Sequence, residues 1–314
     1  MTNTQNPQQT LDSIDHDSAV QAIMNAHQRA LGLETASTAV YKPAHNAIYD
    51  AANEACLRMG FIENDAACVA KAWQAQTERT GRFDAGLWPT EPSDFGIRPL
   101  PRQHSFPPCP QQLGLYAVLP DAAWVARMAR AGVPTVQLRF KSEDAAAVAR
   151  EVQAAVKAVQ GTDALLFIND HWQAAIDAGA YGVHLGQEDL DIADLSAIRQ
   201  AGLRLGLSTH GYAEMMRADA HAPSYIAMGA VFPTTLKRMV TAAQGTGRLS
   251  TYARVLRDYP LVAIGGIDAA RLPDVMASGV GSAAVVRALV AAADPEAEAS
   301  RLQSEILKLS SQNR

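Results

Sequence analysis

The sequence predicts an α/β protein, a (β/α)8 TIM barrel over residues 111–309, preceded by a small all-helical region and a proline-rich linker. Three observations carry this prediction. After Leu113, β-rich runs alternate eight times with helix-compatible stretches. Before Trp88, apolar residues recur at helical spacing with almost no strand signal. Between Trp88 and Pro110 stand seven of the sixteen prolines. Strands that alternate with helices pair in parallel through right-handed crossovers, and eight of them close on themselves.

Residues 1–17 (MTNTQNPQQTLDSIDHD) are polar and read as a disordered tail, without the basic start and apolar core of a secretory signal. The helical region, 18–87, holds three stretches with apolar residues on one helical face: 19–31, 46–61 and 65–76. From 88 to 110 the prolines fix φ and remove donors, so an extended linker or a strap on a neighbouring surface is expected. In the barrel domain, strands are expected at LYAVL, TVQLR, LLFIN, GVHLG, RLGLS, YIAMGAVF, LVAIGG and AAVV. Four helix exits share a pattern, Ala131-Gly132, Ala178-Gly179, Ala201-Gly202 and Ser278-Gly279, in which glycine supplies the left-handed turn that stops a helix. An open doubly wound sheet is the rival architecture. The barrel is preferred because no early strand is followed by a GxGxxG turn.

Composition narrows the function classes. Lys plus Arg (27) against Asp plus Glu (32) gives a formal charge of −5, which does not suggest a nucleic-acid surface. No apolar run approaches the roughly 18 residues of a membrane span, so no membrane partner is expected. Cys56, Cys68 and Cys109 form no CxxC pair and read as ordinary thiols. A cytoplasmic location is the default.

In a barrel the chemistry belongs on loops after the carboxyl ends of the strands. Gln137, Arg139 and Lys141 alternate along one extended segment there, so two cations point the same way and suit an anionic oxygen cluster. Solvated surface charge is the plainer reading, but the segment continues a buried strand. Asp170 and Asp189 follow the next two strands. Either alone would serve as a helix cap, whereas the pair beside cations could hold Mg²⁺, which keeps waters and bridges to substrate phosphates. Gly265-Gly266 follows the seventh strand and Val286-Arg287 the eighth, where barrels commonly bind phosphate through backbone N–H groups. The rim thus offers two anion sites, for two anionic substrates or one with two phosphate ends.

QLRxK, ND, GVHLGQED, STH, GAVFPTTLK, VAIGGI and VGSAAVV, in this order and spacing, resemble the thiamine phosphate synthase family across essentially all of residues 111–309. The resemblance implies an alkyl or aryl transferase. It would join 4-amino-2-methyl-5-(diphosphooxymethyl)pyrimidine to a thiazole phosphate, giving thiamine phosphate and pyrophosphate. It further implies that Gln137, Leu138, Arg139, Phe140, Lys141 and Asn169 hold the pyrimidine diphosphate, with Ser208 on the same substrate and Asp170 and Asp189 on Mg²⁺. Thr234, Thr235, Leu236, Lys237, Gly266, Val286 and Arg287 would surround the thiazole phosphate and the departing pyrophosphate. Arg139, Lys141, Ser208 and Lys237 are the implied catalytic residues. In that family pyrophosphate leaves first, and the thiazole nitrogen captures the resulting pyrimidine-methyl cation.

Two positions depart from the family pattern. Leu236 stands where Thr or Ser is usual and removes a hydroxyl; Arg287 stands where Ser is usual and adds a charged donor near the same phosphate. Related thiazole tautomerases use a histidine in the segment of His210, so tautomerisation is an alternative, opposed by the intact pyrimidine-diphosphate set. A catalytically silent ligand-binding barrel with partner-docking helices is another. His184 lies within an apolar strand and reads as a hydrogen-bonded core residue. Residues 46–98 resemble the closing helices of hydroxymethylpyrimidine phosphate kinase. No glycine-rich anion loop precedes them, so a helical remnant or docking module is expected rather than a kinase, with homo-oligomerisation or partner docking through these helices as the macromolecular contacts. The substrate partners expected are small phosphorylated molecules.

Overall fold

The computed structural model describes residues 15–33, 46–234 and 241–312. The chain divides into two compact units, the residues up to Arg98 together with Gly211–Met216, and Pro99–His210 together with Arg217–Arg314.

In the first unit, helices α1 (His16–Leu31), α2 (Ala47–Arg58) and α3 (Glu63–Thr80) fall where apolar spacing predicts them. Of the tail expected over 1–17, residues 1–14 lie outside the described residues, and α1 begins at His16. Asp15 and Asn46 accept from the N–H groups of Ser18 (2.9 Å) and Tyr49 (2.8 Å), satisfying donors that the first helical turn leaves open. Ala51, Ala52, Ala55, Ala66 and Ala70 are fully buried, and their small side chains let α2 and α3 approach closely. Trp73 is fully buried and meets His27 and Trp88 edge-on, while Phe61 stacks on Trp88. The segment Gly211–Met216 belongs to this cluster. Trp88 Nε1 donates to the Tyr212 hydroxyl (3.0 Å), and Asp65 Oδ1 accepts from the Ala213 N–H (2.8 Å).

In the second unit, residues 99–113 run as a strap. Phe106 is buried and its N–H donates to the Ala222 carbonyl (3.0 Å). Arg102 forks onto both carboxylate oxygens of Asp219 and donates to the Tyr259 hydroxyl (2.8 Å), which itself donates to Asp219 Oδ1 (2.8 Å). Then come β1 (Gly114–Leu119), β2 (Thr135–Leu138), β3 (Leu165–Asn169), β4 (Gly182–Leu185), β5 (Arg204–Thr209), β6 (Tyr225–Met228), β7 (Leu261–Ile264) and β8 (Ser282–Val285). Each pairs in parallel with the next and β8 with β1, closing the predicted barrel.

Helices alternate with the strands: α4 (Ala122–Arg130), α5 (Ala145–Ala158), α6 (Trp172–Ala178), α7 (Leu195–Gln200), α8 (Tyr212–Ala220), α9 (Gly245–Val255), α10 (Leu272–Ala277), α11 (Arg287–Val290) and α12 (Pro295–Gln312). Gly132 and Gly179 leave α4 and α6 at φ +82° and +66°, the left-handed geometry their sequence pattern predicts. The barrel interior is filled from alternate strand positions, by Tyr116, Val118, Phe167, Tyr225, Ala227, Val262 and Ala284. Among the described residues no helix is long and apolar enough to cross a membrane.

Candidate active site at the carboxyl rim of the barrel

Closure in parallel sends the carboxyl ends of all eight strands to one rim. The segment 137–141, Asn169 and Asp170, Gln187 and Asp189, Ser208 and His210, Thr234, Gly265 and Gly266, and Val286 and Arg287 therefore share that rim. Thr235, Leu236 and Lys237 lie outside the described residues.

The β2 end is graded in exposure. Gln137 and Leu138 are buried, Arg139 and Phe140 half-buried, and Lys141 exposed. The Arg139 N–H still donates to Leu119 (2.8 Å), and His171 Nε2 donates to the Phe140 carbonyl (2.9 Å), which ties this segment to the β3 loop. Asp170 follows β3 in the left-handed region (φ +63°), a conformation aspartate tolerates better than most residues, and its N–H donates to the His184 carbonyl (3.0 Å). Asp189 Oδ2 accepts from the Gly186 N–H (3.0 Å).

Although Asp170 as a residue is exposed, partial burial of its carboxyl raises it above the usual carboxylate range. Repulsion from Asp189 and a hydrogen bond with it act in the same direction, and Arg139 opposes them. Two carboxylates pressed together with an arginine in electrostatic reach form a donor set that a divalent cation and an anionic ligand satisfy jointly. Among the described residues no group of three His, Cys, Asp or Glu side chains that could hold a metal ion is gathered.

Below the rim runs a chain of buried polar groups. Gln137 Nε2 donates to the Tyr116 hydroxyl (2.9 Å), which lies 2.7 Å from the Tyr225 hydroxyl. The Tyr225 oxygen is 2.6 Å from His184 Nδ1, and His184 Nε2 is 2.7 Å from Ser208 Oγ. His184 is thus the hydrogen-bonded core residue its strand position predicts. Burial pushes both tyrosines above their ordinary range, so both hydroxyls keep their protons.

On the opposite arc, a Cβ on Gly265 would stand 2.6 Å from Ala230 Cα, and one on Gly266 would stand 2.8 Å from the Pro233 carbonyl oxygen. These two positions need glycine for backbone packing whatever else they bind. Arg271 Nη1 donates to the Gly266 carbonyl (2.6 Å) while its guanidinium covers the Phe232 ring at 4.8 Å, fixing the β6 and β7 loops together. Arg217 plays the same part for the β4 loop through the Gln187 carbonyl (3.1 Å) and Asp191 (2.5 Å), and Gln187 Nε2 in turn donates to the Ser208 carbonyl (2.7 Å). Sequence reading missed Tyr116, Tyr225, Arg217 and Arg271. A tyrosine inside a strand run that is otherwise aliphatic was the available signal for the first two.

A closed parallel barrel whose single rim carries paired carboxylates, neighbouring cations and glycine loops is an enzyme scaffold for small phosphorylated molecules. A family model described as "Thiamine monophosphate synthase" matches residues 115–289. The chain belongs to that family. Over 200 residues it is 54% identical to the thiamine-phosphate synthase of Neisseria meningitidis serogroup B, covering 64% of this chain and 98% of the relative. The thiamine-phosphate synthase of Klebsiella pneumoniae is also 54% identical over 200 residues, covering 64% of this chain and 95% of the relative. Among solved structures, a thiamine phosphate pyrophosphorylase from Pyrococcus furiosus is similar at a TM-score of 0.55 and 27% identity, over 62% of this chain and 97% of that one. Helices α1 to α3 precede the family match.

Proposed function

We propose that this chain transfers the pyrimidine-methyl group of 4-amino-2-methyl-5-(diphosphooxymethyl)pyrimidine to the ring nitrogen of a thiazole phosphate. The carbon–oxygen bond to pyrophosphate breaks, a carbon–nitrogen bond forms, and thiamine phosphate and pyrophosphate result. Carbon dioxide is a third product if the thiazole is carboxylated. The observation that carries this reading is that the Asp170 carboxyl lies within reach of both Asp189, which raises it, and Arg139, which opposes that, on the rim of a barrel of this family.

On this reading Asp170 and Asp189 hold Mg²⁺, which would supply positive charge to the diphosphate oxygens when bound. Arg139 and Lys141 take up further negative charge on the leaving group, and Gln137, Asn169 and Ser208 orient the pyrimidine. Gly266, Val286, Arg287 and Thr234 face the thiazole phosphate. α11 has only four residues, so donors there come from the loop and from Arg287 rather than from a helix dipole. No covalent nucleophile is required, because proximity and charge dispersal act on a leaving group that departs by itself. We place the enzyme in the cytoplasm, as composition leads one to expect.

Incubating the purified chain with both phosphorylated substrates and Mg²⁺ tests this. Thiamine phosphate and pyrophosphate should appear in equal amounts. Arg139→Ala should slow turnover at least about tenfold, a loss of about 1.4 kcal/mol of transition-state stabilisation. Isomerised thiazole without coupling would point instead to tautomerisation through His210, and binding without turnover to a silent barrel.

A further inference from the structure

We propose that Tyr225 is a positioning residue for the pyrimidine end of the reaction, its hydroxyl joining Gln137 to Ser208 through Tyr116 and His184. The inference rests on the reading above, in which Gln137 and Ser208 face the aminopyrimidine. Tyr225 itself sits inside the barrel with no exposed surface and, on this account, touches no substrate.

The chain has a direction. Because the Tyr116 oxygen already accepts from Gln137 Nε2, its single proton is free to go to Tyr225, 2.7 Å away. Tyr225 then donates to His184 Nδ1 at 2.6 Å, which leaves the imidazole proton on Nε2, donating to Ser208 Oγ at 2.7 Å. Running the chain the other way would aim two donors at the Tyr116 oxygen and leave the Tyr116 proton without a place in the chain. In the direction that satisfies every proton, Ser208 keeps its hydroxyl hydrogen to offer outward and Gln137 keeps its carbonyl oxygen. A 4-aminopyrimidine edge shows a ring-nitrogen acceptor beside an N–H donor, the complement of that pair. The proton arrangement at Ser208 is thereby set at a distance by a hydroxyl two hydrogen bonds away.

Space for this arrangement is written into the neighbouring strands. A Cβ on Gly206 would stand 2.1 Å from the Tyr225 ring, and one on Gly182 would stand 2.5 Å from the Phe167 ring. Phe167 in turn meets Tyr225 edge-on at 5.0 Å. The Tyr225 ring is therefore held on two sides, and its hydroxyl has a defined place.

The test is Tyr225→Phe in the full chain, which removes one oxygen and keeps the ring. Steady-state kinetics should show KM for the pyrimidine diphosphate rising about tenfold while KM for the thiazole phosphate stays within about twofold, the selective cost of one misplaced hydrogen-bonding pair. Nitrogen-15 spectra of histidine-labelled protein, with the His184 signals assigned by their loss in His184→Asn, should show the Nε2–H tautomer in the unaltered chain and its loss in the variant. Equal rises in both KM values, or an unchanged tautomer, would overturn the proposal. Should Tyr225→Phe fail to fold by circular dichroism, Tyr116→Phe must give the same split between the two KM values, and an even change there would be equally fatal. An unaltered chain that makes no thiamine phosphate defeats the underlying reading and the positioning role with it, whereas normal turnover with an insensitive Tyr225→Phe defeats this inference alone.

Discussion

The ring of Tyr225 fills the space that a side chain on Gly206 would need, with only 2.1 Å between a Cβ there and the ring carbon that bears the hydroxyl. Gly206→Ala should therefore push the ring away from Tyr116 and His184. Overpacking of a closed interior costs about 1–3 kcal/mol. Thermal denaturation should show a lower Tm for this variant, with turnover reduced further than the lost stability explains. An unaltered Tm would mean that the barrel accommodates the methyl group without moving Tyr225.

The Asp170 carboxyl is raised by burial and by Asp189, so the folded chain holds this proton more firmly than the unfolded one, and that support is lost as pH rises through the folded value. Asp170→Asn keeps a residue that tolerates φ +63° and removes the repulsion. In metal-free buffer the variant should melt at a higher temperature than the unaltered chain, and it should lose the extra stabilisation that Mg²⁺ with pyrophosphate gives. A variant that melts lower without metal would show that the two carboxylates do not oppose one another.

Arg102 and Asp219 make the strap integral to the second unit. Their side chains are only 15% and 9% exposed, and Asp219→Ala would leave the guanidinium desolvated with Tyr259 as its remaining side-chain partner. Breaking a buried pair from one side costs about 3–5 kcal/mol. Urea denaturation should register a loss near that size, and Arg102→Leu combined with Asp219→Ala should recover part of it. A single variant as stable as the original would reduce this contact to surface decoration.

His27 is held below its ordinary pKa of 6.5, chiefly by burial, while its contact with the Ala85 carbonyl (3.0 Å) works the other way. The folded state resists the proton that the unfolded chain takes up, so this contribution is complete above about pH 6.5 and declines as pH falls from there toward the folded value. Unfolding free energy measured near pH 7.5 and about pH 5.5 should fall on acidification, and fall less in His27→Asn. His221, lowered for the same reason, leaves part of the loss in place. An equal loss in both proteins would remove His27 from the account.

The eight strands were legible because a parallel strand is buried on both faces and so reads as an unbroken apolar run, LLFIN and LVAIGG being plain cases. That Gln137, Arg139, Asp170, Asp189 and Ser208 share one rim was legible because all stand at the carboxyl ends of such runs, which a closed parallel barrel brings together. Tyr116 and Tyr225 were not, since a tyrosine inside a strand reads as one more large ring, and what pairs them is closure of the sheet, a relation between β1 and β6 that no local window contains. Arg271 and Arg217 were not legible either. Their partners are loop carbonyls at Gly266 and Gln187, which carry no side-chain signature. The affiliation of Gly211–Met216 with the helical unit depends on Asp65 and Trp88, more than a hundred residues earlier, and was equally out of reach.

The account stands on one rim holding a diphosphate between two aspartates and two basic side chains, and crystals of the full chain soaked in Mg²⁺ and pyrophosphate test that directly. The metal should bind Asp170 and Asp189 and bridge to pyrophosphate oxygens that Arg139 and Lys141 also contact. Pyrophosphate bound away from Arg139 and Lys141, or a metal that ignores both aspartates, would contradict it.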